Sequence, residues 1–260
     1  MDLGLDGKVA LVAASSKGLG KASAVALAKE GARVTICART QADLDAAAEE
    51  IRTQTKADVL SVTADVSTAD GIQRVVAATI ERFGGVDVLV NNSGGPAPGS
   101  FQDHSDDDWR RAFEVVTLNF VRFVREVAPH MREKKWGRIV GIQSSSVKEP
   151  VPNLVLSNGI RPGVAGLVKT LMPDLARDGI TINLVLPGVF LTDRVRHRMG
   201  GPPGVDEQTL IDHIAATIPA GRLGDPSEVG NLVAFLASER AAYITGAVYQ
   251  IDGGSIHSNV

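Results

Sequence analysis

The sequence predicts an α/β fold: a single doubly wound parallel sheet of about seven strands with helices on both faces. Short runs rich in Val and Ile alternate along the chain with longer stretches whose apolar residues recur at helical spacing. The short runs are almost continuously apolar, as expected for parallel strands covered on both faces. The chain has 260 residues with no internal repeat or low-complexity linker, so we expect one domain spanning residues 1–260.

The candidate elements follow one another as strand, helix, strand, which predicts right-handed crossovers between neighbouring parallel strands. The predicted strands are Val9–Ala13, Arg33–Cys37, Val59–Thr63, Val86–Asn91, Gly137–Ile142, Thr181–Leu186 and Ala247–Ile251. The predicted helices are Leu19–Lys29, Leu44–Thr53, Ile72–Phe83, Asp107–Arg132, Val164–Arg177 and Ser227–Ser238. Glycines at Gly31 and at Gly84–Gly85 stand where the preceding helices should end.

One segment, Phe190–Pro203, breaks the alternation. It carries several Arg, Gly and Pro residues together with His197, which makes it too polar and too broken for core. Irregular segments of this length often cover a binding site. The sequence therefore predicts a substrate lid within residues 190–217, although an ordinary solvated loop fits the same composition.

Bulk composition excludes several classes of protein. Hydrophobic residues make up 44% of the chain and aromatic residues only 4%, so the core consists mainly of aliphatic side chains. The net charge of −3, with acids and bases mixed, argues against nucleic-acid and membrane partners. The single Cys37 excludes an intrachain disulfide, and the first residues show no signal peptide. We expect a cytoplasmic protein that acts on a small molecule.

A glycine-containing turn joins the first predicted strand to the first helix. In dinucleotide-binding folds such a turn brings helix N-terminal amides to a pyrophosphate. The residues predicted to contact a cofactor here are Ser16, Lys17, Gly18, Leu19 and Gly20. The earliest position of the turn carries Ala14, and an alanine is strained if that position requires a positive φ.

Charge after the second strand predicts which dinucleotide is preferred. Folds selective for NAD(H) place an acid there to bind the ribose 2′-hydroxyl. This chain has Ala38 and Arg39 instead, with Lys17 in the glycine turn. Two cations without an acid favour a 2′-phosphate, hence NADP(H) over NAD(H). The alternative is that both side chains are simply solvated charges.

Further motifs extend the pattern along the chain. They are Asp65-Val66, Asn91-Asn92-Ser93-Gly94, Pro187-Gly188 with Thr192, Gly221-Arg222-Leu223-Gly224-Asp225-Pro226 and Tyr243-Ile244-Thr245-Gly246 followed by Asp252-Gly253-Gly254. Their order, from Leu5 to Gly254, resembles the classical short-chain dehydrogenase/reductase family, in particular its 3-oxoacyl-carrier-protein-reductase-like branch. The resemblance implies that Asp65 and Val66 line an adenine pocket. It also implies cofactor contacts for Asn92, Gly94, Pro187, Gly188 and Thr192.

The same resemblance locates the chemistry and shows that this chain departs from the family. The family uses a serine, a Tyr-x-x-x-Lys pair and often a helix asparagine. Ser144 matches the serine, with Ser145 and Ser146 as competitors for the register. Ser157 stands in the place of the tyrosine and Arg161 in the place of the lysine. The asparagine position carries Val116, and Asn119 lies one turn further on, out of register. The only tyrosines, Tyr243 and Tyr249, lie near the C-terminus.

These replacements change the available chemistry. An aliphatic alcohol is a far weaker acid than a phenol, and an arginine binds oxygens without passing protons. Two interpretations stay open. Because Pro162 belongs in a first helical turn, Ser157 or Asn158 would be the N-cap of a helix starting there. Alternatively, Ser157 and Arg161 face the nicotinamide site, where Arg161 suits a carboxylate or phosphate.

Three functional hypotheses follow. The first is an NADP(H)-dependent oxidoreductase acting on a carbonyl or hydroxyl compound with an atypical active site, for which we select Ser144, Ser157 and Arg161 as catalytic candidates. The second is a catalytically silent member that binds a dinucleotide or metabolite. The third is a non-redox lyase or isomerase on the same fold. The histidines show no metal-ligand spacing, so no metal is expected. The resemblance also implies a homo-oligomer, a tetramer or a dimer, formed through the long helices Asp107–Arg132 and Val164–Arg177.

Overall fold

A seven-stranded parallel sheet forms the centre of the molecule. The computed structural model describes residues 1–198 and 206–259, and its strand order is β3-β2-β1-β4-β5-β6-β7. The strands are β1 Val9–Val12, β2 Arg33–Ala38, β3 Val59–Thr63, β4 Val88–Asn91, β5 Gly137–Ile142, β6 Ile180–Pro187 and β7 Val248–Ile251. Every neighbouring pair is parallel, and the predicted fold class is confirmed.

Helices connect the strands. They are α1 Gly18–Lys29, α2 Gln41–Thr55, α3 Ala69–Phe83, α4 Asp106–Phe113, α5 Asn119–Lys134, α6 Val155–Arg177, α7 Asp193–Arg198, α8 Glu207–Ala215 and α9 Pro226–Ala237. Helices α7 and α8 lie within the predicted lid. Residues 199–205 of that segment and the side chain of His197 lie outside the described part of the chain. None of the described helices has the length and apolarity that crossing a membrane requires.

Each face of the sheet carries its own hydrophobic core. Alternate residues of a strand point to opposite faces. Leu11 and Leu89 accordingly belong to the cluster packed with α3, α5 and α6. Their neighbours Val12 and Val90 belong to the cluster packed with α1, α2 and α9. Two covered faces explain why the strands are almost continuously apolar in the sequence.

Two predicted helices differ from those observed by more than a few residues at their ends. The helix expected over Asp107–Arg132 is divided into α4, a π-helical turn at Glu114–Leu118, and α5. Helix α6 begins at Val155, well before the predicted start at Val164. Its early turns contain Gly159, Pro162 and Gly163, residues with poor helix propensity, which obscured the helical pattern.

The strand order creates a crevice at one edge of the sheet. β1 lies between β2 and β4, so the connection after β1 runs to one side and the connection after β4 to the other. Ligands of open α/β sheets bind at this point, beyond the carboxyl ends of the strands. The turn after β1 and the segments after β2, β3 and β4 all open at this edge.

Candidate active site

Ala14, in the turn after β1, adopts a left-handed backbone. Its φ is +47°, so a methyl group stands in a conformation that usually favours glycine. The Ala14 carbonyl accepts a hydrogen bond of 3.2 Å from Nδ2 of Asn92, which follows β4. A Cβ added at Gly20 would lie 2.4 Å from the same carbonyl oxygen. Gly20 therefore permits the close approach of helix and turn, while Ala14 carries the strain anticipated from the sequence.

The start of α1 offers backbone amides to a ligand. Lys17 is the N-cap in an extended conformation and makes no side-chain capping hydrogen bond. Gly18, the first helical residue, has a φ of +57°. Leu19, the second residue of α1, packs against the hydrophobic core on that face of the sheet. N-terminal amides that no side chain caps attract anions. This turn therefore fits a pyrophosphate.

A cleft of about 510 Å³ opens beside the turn. Six of the residues predicted to contact a cofactor line it together: Ser16, Lys17, Arg39, Asp65, Val66 and Gly94. The cleft is also lined by residues that the sequence did not single out for it, among them Thr40, Asp43, Ser67, Arg111 and Asn119. Its position, between the ends of β1, β2, β3 and β4, matches the adenosine half of a dinucleotide.

Carboxylates as well as cations line this cleft. Lys17 Nζ lies 2.9 Å from an Asp43 carboxylate oxygen, and this hydrogen bond raises the pKa of Lys17. The Ser67 amide donates to Asp65, which, together with weaker attraction from Arg39, lowers the pKa of that carboxyl. The cleft therefore holds an acid beside the two predicted cations, because the first turn of α2 brings Asp43 back to the end of β2.

The residues predicted for the nicotinamide end are distributed around α1 and β6. Thr192 precedes α7 and lies beside the turn: a Cβ added at Gly18 would be 3.4 Å from its methyl group. Gly18 and Thr192 line a second groove, which shares Lys17 with the cleft. Pro187 ends β6, and the amide of Gly188 donates to the Ile251 carbonyl at 3.0 Å.

Serines gather where β5 meets α6. Ser144 follows β5 and caps a short 3₁₀ turn, accepting a hydrogen bond of 3.3 Å from the amide of Ser146. The hydroxyl oxygens of Ser146 and Ser157 are 2.8 Å apart and buried. Three serines were candidates for the family serine. Of these, Ser146 bonds directly to Ser157, the residue at the tyrosine position. Ser144 reaches Ser157 only indirectly, through its hydrogen bond with the Ser146 amide.

Arg161 lies one helical turn after Ser157 and faces the same strand end. Its Nη1 donates to Oε1 of Gln143 at 2.9 Å, and the arginine is only 5% exposed. Ser157 is also 5% exposed. Because α6 begins at Val155, Ser157 and Asn158 lie inside the helix and neither is its N-cap. The cap interpretation is therefore wrong.

Val116, at the expected asparagine position, lies within the π-helical turn. Its side chain is 1% exposed and belongs to the core. Asn119 accepts a hydrogen bond of 2.8 Å from Nδ2 of Asn91 and donates to the Val66 carbonyl. Asn119 therefore joins the ends of β3 and β4 beside the cofactor cleft. Neither residue presents an amide to the serines.

Both tyrosines lie in the described part of the chain, and neither is placed to replace the missing phenol. Tyr243 is fully exposed in the segment before β7. Tyr249 lies on β7, in register with Val185, and packs against the core. Cys37, at the end of β2, is completely buried, and burial raises the pKa of its thiol to about 12. It acts as a small apolar residue.

Known proteins resemble this chain over nearly its whole length. A family model described as enoyl-(acyl carrier protein) reductase matches residues 13–255. The dehydrogenase/reductase SDR family member 4 of Caenorhabditis elegans is 34% identical over 251 residues, which cover 96% of this chain and 95% of that protein. The 3-oxoacyl-acyl-carrier-protein reductase FabG of Vibrio cholerae is 35% identical over 254 residues, covering 97% of this chain and 98% of that protein. This chain belongs to the short-chain dehydrogenase/reductase family.

A solved structure agrees with this membership. The L-sorbose reductase of Gluconobacter frateurii, complexed with NADPH and L-sorbose, superposes with a TM-score of 0.95 at 32% identity. The comparison covers 99% of this chain and all of that one. The predicted family is confirmed, and the relatives support the prediction of an oxidoreductase.

As a short-chain dehydrogenase/reductase, the chain supports its altered site with residues that sequence reasoning missed as functional. Gln143 holds Arg161, and Asp43 and Arg111 line the cleft, whereas Ser146, which bonds to Ser157, was already a competitor for the serine register. Only Gln143 gave a usable signal, because it is the last polar residue before the serine motif at the end of an apolar strand. The role of Asp43 depends on helix geometry and has no local motif.

Proposed function

We propose that the protein is an NADP(H)-dependent oxidoreductase that acts on a carbonyl or hydroxyl group of a small molecule. The observation that carries the proposal is the pairing of Ser157 with Ser146 and of Arg161 with Gln143 beside Ser144. Hydroxyl and guanidinium groups are thereby fixed where the family performs its chemistry. The NADPH-bound L-sorbose reductase, which has the same fold, gives further support.

The residues of the cofactor cleft suit a dinucleotide. The tight contact between Gly20 and the Ala14 carbonyl and the open amides at the start of α1 form a cradle for a pyrophosphate. Asp65 and Val66 line the part of the cleft expected to take adenine. When bound, the dinucleotide would supply or accept the hydride at the substrate carbon.

Around that carbon, the chain's own residues bind and orient oxygen. An arginine side chain is cationic in proteins, so Arg161 stabilises negative charge on a substrate oxygen without giving up a proton. Ser157 is oriented by Ser146 and has a hydroxyl to donate. The proton itself comes from water or from an ionisable group of the substrate. Because losing a general acid typically costs about 10²–10⁴-fold in rate, we expect slow turnover.

Preference for NADP(H) over NAD(H) is also part of the proposal. Lys17 and Arg39 line the cleft, and Arg111 adds a third cation to the same lining. Asp43 and Asp65 oppose them. The excess of positive charge favours the 2′-phosphate.

The first test is a fluorescence titration of the purified protein with NADPH and NADH, followed by a carbonyl panel with NADPH. We expect binding of NADPH and turnover that falls at least tenfold in Ser144→Ala and Ser157→Ala. Ser145→Ala is the matched control, because this half-buried neighbour accepts hydrogen bonds through its backbone carbonyl, which the substitution keeps. Binding of neither nucleotide would refute the proposal and favour a metabolite-binding or non-redox role centred on Arg161.

One observation favours a second candidate function, a catalytically silent member that binds dinucleotide. Ser157 and Arg161 are almost completely buried and bonded within the protein, as structural polar groups are. This candidate predicts nucleotide binding without turnover of any carbonyl in the panel. Turnover that disappears in Ser144→Ala would eliminate it.

We further propose that the protein is a cytoplasmic homo-oligomer, a tetramer or a dimer. Support comes from the family resemblance, with α5 and α6 as the contact helices. On α6, Gly163 and Gly166 have open space where a side chain would be, which permits close approach of a partner helix. Sedimentation equilibrium would give the mass; a monomer at micromolar concentration would contradict this part of the proposal.

A further inference from the structure

We propose that Asp43 limits the selectivity of this protein for NADP(H), because it forms an ion pair with Lys17, the lysine that a 2′-phosphate would bind. The inference rests on the proposed function, because it concerns the same cleft. Asp43 lies outside the motifs by which the chain resembles the family.

The two residues meet across the mouth of the cleft. Lys17 ends the turn after β1 and occupies the N-cap position of α1, whereas Asp43 lies in the first turn of α2. Their charged atoms are 2.9 Å apart, and both side chains remain partly exposed to solvent. Arg39 and Thr40 line the same cleft. The ion pair therefore lies at the edge of the cleft where a charged side chain would contact the ribose 2′ position.

The start of α2 strengthens this location. Thr40 is the N-cap of α2 but makes no side-chain capping hydrogen bond. The first amides of α2 therefore favour an anion beside the same ion pair. Asp43 provides the negative charge of that first turn, and it directs this charge toward Lys17.

A 2′-phosphate meets two obstacles here. It must take the Lys17 ammonium from Asp43, and it must then lie close to a carboxylate of the same sign. NADH meets neither obstacle, because a ribose hydroxyl can donate a hydrogen bond to a carboxylate. Asp43 thus weakens the binding of NADPH more than that of NADH, and the protein discriminates between them less than its cations suggest.

The test is to measure dissociation constants of both nucleotides by fluorescence titration at fixed ionic strength, for wild type, Asp43→Asn and Asp45→Asn. Asp45 is the matched control, since it lies on α2 and bonds to Gln41 rather than to Lys17. Both substitutions remove one negative charge from the same helix. We expect Asp43→Asn to tighten NADPH binding about fivefold, the equivalent of one exposed ion pair, with NADH binding unchanged or weaker.

A double variant identifies the mechanism. In a Lys17→Ala background, Asp43→Asn should keep only the part of its gain that comes from removing like-charge repulsion, because no ammonium remains to be released. Equal effects of Asp43→Asn and Asp45→Asn would overturn the inference, as would an undiminished gain without Lys17. If wild type binds NADPH and only the ratio fails to change, the inference alone falls; if no variant binds either nucleotide, the proposed function falls with it.

Discussion

Ala14 shows how one residue holds strain at the centre of a binding turn. A left-handed conformation costs a non-glycine residue about 1–2 kcal/mol. The turn keeps this conformation because the Ala14 carbonyl is held by Asn92 and pressed against Gly20. Strained residues of this kind persist where the surrounding structure determines them.

Replacing Ala14 with glycine should therefore stabilise the protein. The relief of backbone strain exceeds the extra flexibility of the unfolded glycine chain, which costs about 0.4–1 kcal/mol. We expect the free energy of unfolding to rise by about 0.5–1 kcal/mol in Ala14→Gly. Urea denaturation monitored by circular dichroism measures the change.

Ala13→Gly provides the control for that measurement. Ala13 is completely buried and does not have a positive φ, so glycine there removes a packed methyl group without relieving strain. It should lower the stability. A loss of stability in both variants would show that the strain at Ala14 is smaller than the flexibility cost of a glycine.

At the residue scale, the sequence predicted which residues lie around the cleft better than it predicted their side-chain partners. Motif order was enough to bring Ser16, Arg39 and Asp65 into one cleft. It was not enough for Asp43, because the contact with Lys17 depends on where α2 begins, and the predicted start at Leu44 excluded it. Pairings of side chains across elements have no local signature in the sequence.

Among the elements, α6 contains two internal prolines, which lower the stability of the helix. Pro162 lies in its interior and is exposed, so it removes one helical hydrogen bond without adding burial. Pro162→Ala should raise the free energy of unfolding by about 1–2 kcal/mol, less than the full helix-propensity difference because the unfolded chain gains freedom. Thermal denaturation would detect it.

The effect should repeat at a second site. Pro173 is also exposed inside α6, and Pro173→Ala is expected to stabilise the protein by a similar amount. If Pro162→Ala destabilises the protein and Pro173→Ala does not, Pro162 positions the helix turn that carries Ser157 and Arg161. The two variants therefore separate a local helix cost from a role in the site.

Helix α9 gives a pH dependence. Its N-terminus has a capping box in which Glu228 accepts from the Asp225 amide, and Arg222 binds the same carboxylate through two nitrogens. The hydrogen bonds from Arg222, then that from Asp225, lower the pKa of Glu228 from 4.5 to about 2. A lowered folded pKa means that the charged form contributes stability above the unfolded pKa and loses it as pH falls.

Glu228→Gln should consequently lower Tm by a few degrees at pH 7. The difference from wild type should shrink as pH falls from about 4.5 towards 2, because the wild-type carboxylate becomes protonated over that window. Scanning calorimetry from pH 7 to pH 2.5 tests it. Glu81→Gln, at an exposed position of α3, controls for the general effect of removing a negative charge. A difference that widens on acidification would contradict the argument.

Strands were easier to predict than helices for a physical reason. A buried parallel strand must be apolar at nearly every position, so β5, which is buried throughout, was predicted with the bounds that the structure shows. A helix needs only one apolar face, and the beginning of α6 mixes that face with glycine and proline. The π-helical turn between α4 and α5 has no propensity signal at all.

For the whole molecule, cofactor binding should appear as stability. A ligand that binds only the folded state adds about 2.7 kcal/mol to the free energy of unfolding at 100 times its Kd. We expect NADPH at that concentration to raise Tm, and NADH to match it at the same multiple of its own Kd. An unchanged Tm in both titrations would mean that the cleft takes no dinucleotide.

The strand order also has a consequence for how the chain is made on the ribosome. The neighbouring strands β3, β2, β1 and β4 are all complete once Asn91 has emerged, and they carry most of the cleft. Domains commonly fold from the N-terminus during synthesis. α1, however, packs against α9, which is translated much later. The half that carries most of the cleft can thus assemble early with one apolar face uncovered, and this nascent species is the one that chaperones would protect.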